Sequence, residues 1–148
     1  MSRLELSRGH WKRAIAYGEA AVALSLDPAT LGVLADAHAA AGDSAKSADY
    51  ARTMELVVLG QPGAYHRAWS LYLLNHDRQV ASVLANVEAE IAGRQDVYGY
   101  DLLAWALYKN SRNCEARDAM RHALSLGTKE PMLLEHADAI GGSPCPSF

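Results

Sequence analysis

Apolar and polar residues follow a helical pattern through most of the chain. Leucine and alanine return at intervals of three and four residues, the spacing that places apolar side chains on one face of a helix. β-Branched residues are few and do not alternate with polar ones, so strand signals are nearly absent. The pattern therefore predicts an all-α protein.

Short breaks divide this pattern into roughly eight helices of about 11 to 16 residues. Glycine behind one helix and proline in the first turn of the next are the expected stop and start signals. The breaks lie at 8–9, 26–28, 41–43, 60–63, 75–77, 93–96, 110–113 and 127–131. The last eight residues, 141–148, carry no helical pattern, and we expect them to form a flexible tail.

The breaks recur at a nearly constant interval. One residue marks the break inside each helix pair, with spacings of 33, 34 and 35 residues: Gly9, Gly42, His76 and Ser111. A small residue stands five positions after each of them: Ala14, Ser47, Ala81 and Ala116. Small side chains at a repeated position let neighbouring helices approach closely. The chain therefore contains a helical repeat of about 34 residues.

Two segments resemble the tetratricopeptide repeat, a helix–turn–helix unit of this length. In residues 28–56 the family's large, small and turn positions are filled by Leu31, Leu34, Ala35 and Gly42. Residues 100–124 agree as well, at Tyr100, Leu103, Ala104, Ala116 and Ala123. The resemblance covers about residues 9 to 127. It implies a right-handed α-α superhelix, a solenoid of antiparallel helix pairs.

The third repeat departs from the family pattern, because Trp69 stands where a small residue is expected. The resemblance divides a repeat domain of residues 1–140 into a partial first repeat, three complete repeats and a partial last one. Their boundaries are 1–27, 28–61, 62–95, 96–129 and 130–140.

The composition of the chain argues against nucleic acids and membranes as binding partners. Fourteen Lys and Arg against 17 Asp and Glu give a net charge of −3 without a basic stripe, which argues against nucleic acid. No apolar run reaches the roughly 20 residues of a membrane helix, and the N-terminus lacks the apolar core of a signal peptide. Cys114 and Cys145 are isolated in sequence, so we expect free thiols and a cytoplasmic protein without a membrane partner.

The sequence predicts no enzyme, cofactor or metal site. Nucleophile-elbow, dinucleotide and phosphate-loop motifs are missing, and no two of the six histidines stand three or four residues apart. Cys114 and His122 lie about 12 Å apart along a helix axis, too far for a nucleophile and its base. His38 occupies the place of a buried aromatic in the repeat, and we expect a core histidine there.

Candidate binding residues follow from the resemblance, because the first helices of successive repeats line a concave groove in this family. The corresponding positions in the fourth repeat are Tyr98, Asp101, Trp105 and Tyr108, with His66 as a secondary contact from the third. Asp101, Trp105 and Tyr108 share one helix face by their spacing alone. The resemblance thus implies a non-catalytic module that binds a protein, as a peptide or a helix, in this groove.

Two alternatives remain open at this point. The rings of the fourth repeat could pack against the last helix, near Met132 and Glu135, because aromatic side chains mostly fill cores. The chain could also be a self-associating structural fragment of a longer repeat array, since repeat ends need covering. A homodimer would then form through uncapped terminal helices, at Trp11, Ile15, Val22 and Leu26.

Overall fold

A computed structural model describes residues 1–61 and 66–145. These residues form nine α-helices, one more than the sequence predicts, together with one 3₁₀ helix and no strand. The helices are α1 (Ser2–Ser7), α2 (Trp11–Val22), α3 (Pro28–Ala40), α4 (Ser44–Leu59), α5 (Arg67–Asn75), α6 (Val80–Glu90), the 3₁₀ helix Ile91–Gly93, α7 (Val97–Lys109), α8 (Asn113–Ser125) and α9 (Pro131–Gly141). The all-α prediction is confirmed.

The same tight turn recurs along the chain. At each occurrence one residue has a positive φ, and the next backbone N–H donates to the carbonyl five residues before it, at 2.8 to 3.0 Å. This is the hydrogen-bond pattern of a Schellman motif, which ends one helix and redirects the chain into the next. The positive-φ residues are Gly9, Gly42, Asp77 and Ser111. The turn between two helices therefore recurs at a nearly regular interval along the chain.

The third turn lies one residue later than the sequence predicts. Asp77, with φ of 52°, takes the position assigned to His76, and a second positive-φ residue, Gln79, precedes α6. This extra residue moves the helix register, so that Val83 is buried four residues after the helix cap. Ala81, the predicted small packing residue, is exposed. The repeat signal was correct in period and wrong in local register here.

The chain divides into two compact units, with the boundary inside α5. The first unit, Met1–Tyr72, has a core built on α3, where Leu31 and Leu34 are almost fully buried. α1 packs against both α2 and α3. The predicted core histidine, His38, is buried in this unit and stacks on Tyr50 with ring centroids 5.4 Å apart.

The second unit, Leu73–Phe148, is organised around α7. This helix packs against α6, α8 and α9, and its residues Leu102 and Leu107 lie in the core with Leu133 and Ile140 of α9. α9 therefore covers part of α7 although no second helix of its own pair follows among the described residues. None of the helices described is long and apolar enough to span a membrane.

Cys114 and Cys145 form a disulfide, so the prediction of free thiols is wrong. Their Cα atoms lie 5.2 Å apart despite a separation of 31 residues in sequence. α9 packs against α8 and directs the chain that follows it back towards the start of α8, where Cys114 stands. Spacing in the sequence does not reveal this path, because it depends on how the two helices pack.

The predicted flexible tail, residues 141–148, is described as far as Cys145, and residues 146–148 lie outside the described part. Asn113 Nδ2 donates to the carbonyl of Pro144 at 3.1 Å. Arg117 Nη2 donates to the carbonyl of Gly141 at 2.9 Å and also to that of Ser143. Residues 141–145, named here the tail segment, are thus held on α8.

Candidate functional site

The first turn of α7 is fixed by Asp96. Its carboxylate accepts hydrogen bonds from the backbone N–H groups of Tyr98 and Gly99, at 3.0 and 2.9 Å, as a helix N-cap does. The cap sets where the helix begins. Tyr98, in this first turn, is 48% exposed.

Asp101 is fully buried and faces α9. Its Oδ1 accepts a hydrogen bond from Nδ1 of His136 at 2.7 Å, and His136 is itself buried. A buried carboxylate needs a hydrogen-bonded partner, and the imidazole N–H supplies one. Asp101 therefore orients His136, and it has no exposed surface that could contact a ligand.

Two further rings stack in sequence on the ring of His136. The indole of Trp105 lies 4.2 Å from the ring of His136, centroid to centroid, with 13° between the planes. Tyr108 stacks on Trp105 at 5.1 Å. Trp105 Nε1 donates to Oδ1 of Asn75 at 2.9 Å, which satisfies the polar edge of the indole. We name Trp105, Tyr108 and His136 the aromatic cluster.

A cation lies at the edge of the aromatic cluster. Lys109 Nζ is 5.5 Å from the centroid of the Trp105 ring, within the range of a cation–π interaction. The same ammonium donates to Oδ1 of Asp77 at 2.8 Å. The positive-φ turn at Asp77 thus also supplies the counter-ion that holds Lys109 beside the indole.

The structure brings together some of the predicted groove residues. Trp105 and Tyr108 are in contact and half-buried, while Tyr98 is more exposed on the same helix. His66 belongs to the first unit, where Nε2 lies 3.0 Å from the carbonyl oxygen of Gln61. The prediction that His66 contacts a ligand remains a prediction.

His136 was missed by sequence reasoning. The packing alternative placed the rings of α7 against the last helix near Met132 and Glu135; Trp105 does pack on that helix, and the ring that it stacks on there is His136. A signal was present, since His136 lies four residues after Met132 and one after Glu135 on the same predicted helix. Choosing among these neighbours requires the rotation of α9 about its axis, which only packing determines.

The predicted self-association residues differ in exposure. Trp11, Ile15 and Val22 are half-buried, and α1 packs against α2, although the sequence suggested too little chain to cover this helix. Leu26 is 54% exposed, and the neighbouring Leu24 is 90% exposed. The most exposed leucines of this region therefore lie just after α2, while Tyr17 on α2 is 46% exposed.

The aromatic cluster, with Lys109 at its edge, combines apolar and charged groups. It offers ring faces, an ammonium group and a buried imidazole whose Nδ1 is occupied by Asp101. Within residues 1–61 and 66–145, no three His, Cys, Asp or Glu side chains gather into a group that could hold a metal ion. Cys114 is bonded to Cys145, and His122 Nδ1 lies 2.9 Å from the carbonyl oxygen of Asp118.

No protein-family model matches the chain, and no curated protein matches it. Among solved structures, the MamA RS-1 ArsTM double mutant is similar, with a TM-score of 0.47 and 23% sequence identity. That alignment covers 95% of this chain and 79% of the other. Similarity at this level assigns no family, and the helical repeat rests on the chain's own helix bounds and turns.

Proposed function

We propose that the chain is a non-catalytic protein-interaction module that binds a peptide or a helix on the exposed side of α7. The observation that carries this proposal is the stacked pair of Trp105 and Tyr108, both half-buried. The ammonium group of Lys109 lies beside the Trp105 ring. Tryptophan and tyrosine are the residues that most often anchor protein interfaces. The rings are held in place before any partner arrives, so binding costs little side-chain entropy.

The residues have distinct roles in this proposal. Tyr108 and Tyr98 contact the partner directly, because each keeps exposed surface on α7. Trp105 contributes its indole ring between them, and this ring stacks on His136. Asp101 positions His136 and does not touch the partner. An apolar or aromatic partner side chain suits this surface, with a carboxylate near Lys109 as an added contact.

A displayed library of random peptides tests the proposal. We expect selected peptides to bind the wild type and to lose at least about tenfold in affinity to Tyr98→Ala/Tyr108→Ala, a difference of about 1.4 kcal/mol. The matched control is Tyr17→Ala, since Tyr17 is 46% exposed and belongs to the other unit. Isothermal calorimetry measures the peptide affinity of the double variant and of the control. Circular dichroism verifies that both are folded. Equal binding by the double variant, or no selected peptide at all, would contradict the proposal.

Self-association is a second candidate function, favoured by the exposed leucines after α2. Leu24 and Leu26 are 90% and 54% exposed, and large apolar side chains in contact with water mark interaction surfaces. A homodimer through this region predicts a molar mass that rises with protein concentration in light scattering. Leu24→Glu/Leu26→Glu should restore the monomer. A monomeric wild type over a roughly hundredfold range of concentration would exclude this candidate.

A further inference from the structure

The tail segment is fastened to α8 by one covalent bond and several polar contacts. The disulfide joins Cys145 to Cys114 in the first turn of α8. Asn113 and Arg117 add hydrogen bonds to backbone carbonyls of the tail segment, as described above. Three side chains near the start of α8 therefore hold the last residue of α9 and the four residues that follow it.

An apolar groove lies beside this attachment. It runs between α8 and α9, encloses about 430 Å³ and is walled by Met120 and Leu124 on one side and by Ala137 and Ile140 on the other. Both cysteines of the disulfide contribute to the same lining. The tail segment thus forms part of the wall of the groove.

We propose that the Cys114–Cys145 disulfide is a thiol-sensitive clamp that holds the tail segment, one wall of this groove, on α8. In the oxidised protein the clamp fixes the tail segment on α8. Reduction releases the tail segment and opens the groove at that side. The inference is independent of the function proposed for α7, because it concerns the groove between α8 and α9 and different residues.

The chemistry is ordinary thiol–disulfide exchange with a dithiol as the reductant. A thiolate of the dithiol attacks one sulfur of the disulfide, the S–S bond breaks, and a mixed disulfide forms with one cysteine while the other leaves as a thiolate. The second thiol of the reductant then displaces the protein sulfur. Two electrons and two protons pass to the protein, which gains two thiols, and the reductant becomes a disulfide. Both cysteines are partly exposed, so a small reductant can reach the bond.

Release follows from what remains after the bond is broken. The hydrogen bonds from Asn113 and Arg117 involve exposed or partly buried atoms, and water can replace such bonds at little net cost. The tail segment contains Gly142 and Pro144 and forms no helix beyond α9. Without the covalent bond, the tail segment loses conformational entropy when it is ordered on α8, and this loss opposes its attachment. The disulfide reduces that cost because it restricts the chain in advance.

Alkylation with mass measurement tests the bond itself. The oxidised protein should take up no iodoacetamide, and protein treated with dithiothreitol should take up two equivalents. Hydrogen exchange then tests release. We expect the backbone amides of Gly142 and Ser143, which donate to Asp138 and Ile140, to exchange at least about tenfold faster after reduction. Amides in the middle of α6 and α7, which belong to the same unit, should keep their rates, which separates local release from unfolding of that unit.

Three variants sharpen the test. Cys114→Ser and Cys145→Ser should both exchange like the reduced wild type and should no longer respond to dithiothreitol. Arg117→Met keeps the bond but loses the carbonyl contacts, and its tail segment should remain protected until the reductant is added. Two alkylated cysteines in protein treated with a mild oxidant, or unchanged exchange of Gly142 and Ser143 after full reduction, would overturn the proposal.

Discussion

The carboxylate of Asp101 and the imidazole of His136 join α7 to α9 through a buried hydrogen bond of 2.7 Å. The bond connects residues 35 positions apart, and the ring that it orients is the one on which Trp105 stacks. A single buried contact thus fixes both the packing of the last described helix and the position of the aromatic cluster. The binding proposed on α7 would therefore depend on α9, although the partner need not touch that helix.

Removing the Asp101 carboxylate should destabilise the second unit. Asp101→Ala leaves the N–H of His136 buried without its acceptor, and we expect the free energy of unfolding to fall by about 2–4 kcal/mol. Asp101→Asn retains an oxygen acceptor of similar shape and should cost about 1 kcal/mol. Urea unfolding monitored by circular dichroism measures both changes.

The surface variant Asp118→Ala is the control for that measurement. Asp118 is exposed and pairs with Arg121 within α8, so its loss should change the free energy of unfolding by less than about 0.5 kcal/mol. If Asp101→Ala were as stable as Asp118→Ala, the buried pair would not connect α7 to α9 as described.

Gly99 should tolerate alanine less well than any other helical glycine whose surroundings are described. A Cβ added there would lie 1.8 Å from the backbone oxygen of Arg94, which cannot move without shifting the start of α7. At Gly18 the added Cβ would lie 2.6 Å from a side-chain carbon of Leu34, which can rotate. We expect Gly18→Ala to cost about 1–3 kcal/mol and Gly99→Ala to cost more.

Gly93→Ala is the matched control for these two variants, because an added Cβ would meet nothing within 4 Å. Its thermal unfolding should stay close to that of the wild type. The expected order of destabilisation is Gly99→Ala, then Gly18→Ala, then Gly93→Ala. A Gly99→Ala protein with wild-type stability would show that α7 does not approach Arg94 so closely.

The sequence predicted the helices and their period because both depend on local spacing. Apolar residues at helical intervals and a turn every 33 to 35 residues are visible without any tertiary information. The register of α6 was displaced because an extra residue stands between the turn at Asp77 and the helix cap Gln79, and it has no signature in composition. Helix existence was thus easier to predict than register.

Contacts between helices could not be predicted in the same way. The pairing of Asp101 with His136 and that of Cys114 with Cys145 each span more than 30 residues. Each depends on the rotation of α9 and on the direction of the chain after it, which result from packing of the whole unit. Sequence spacing identified Trp105 and Tyr108 as neighbours only because both lie on one helix.

The recurring turn offers a prediction about glycine. Ser111 has a φ of 61°, in the left-handed region where a Cβ is unfavourable, while Gly42 occupies the same place in the second turn with a φ of 81°. Ser111→Gly should raise the free energy of unfolding by about 0.5–1 kcal/mol. Gly42→Ala should lower it by about 1 kcal/mol, although nothing obstructs the added methyl group.

Chemical denaturation of these two variants, compared with wild type, measures both effects. An added Cβ at Gly42 meets no other atom within 4 Å. A loss of stability in Gly42→Ala would therefore come from the strained backbone conformation and not from a packing clash. Changes of the same sign in the two variants would contradict a shared left-handed turn at these positions.

The pKa of Tyr50 should make the first unit less stable in strongly alkaline solution. Burial raises this pKa above 10.0, and the charge and hydrogen bond of Glu19 raise it further. The folded state therefore keeps the phenol proton at a pH where the unfolded chain has lost it. The contribution of Tyr50 to the free energy of unfolding is fully present below pH 10.0. It decreases as the pH rises from there through the pKa of Tyr50 in the folded state.

Comparison with Tyr50→Phe isolates this effect from other groups that titrate at high pH. The free energy of unfolding of the wild type should fall relative to that of Tyr50→Phe as the pH passes 10.0, with a constant difference below it. Glu19→Gln should weaken the decrease without abolishing it, because burial of the phenol remains the larger cause. The difference in free energy of unfolding between wild type and Tyr50→Phe could instead stay constant at every pH. That result would mean that the phenol is as hydrated in the folded protein as in the unfolded chain.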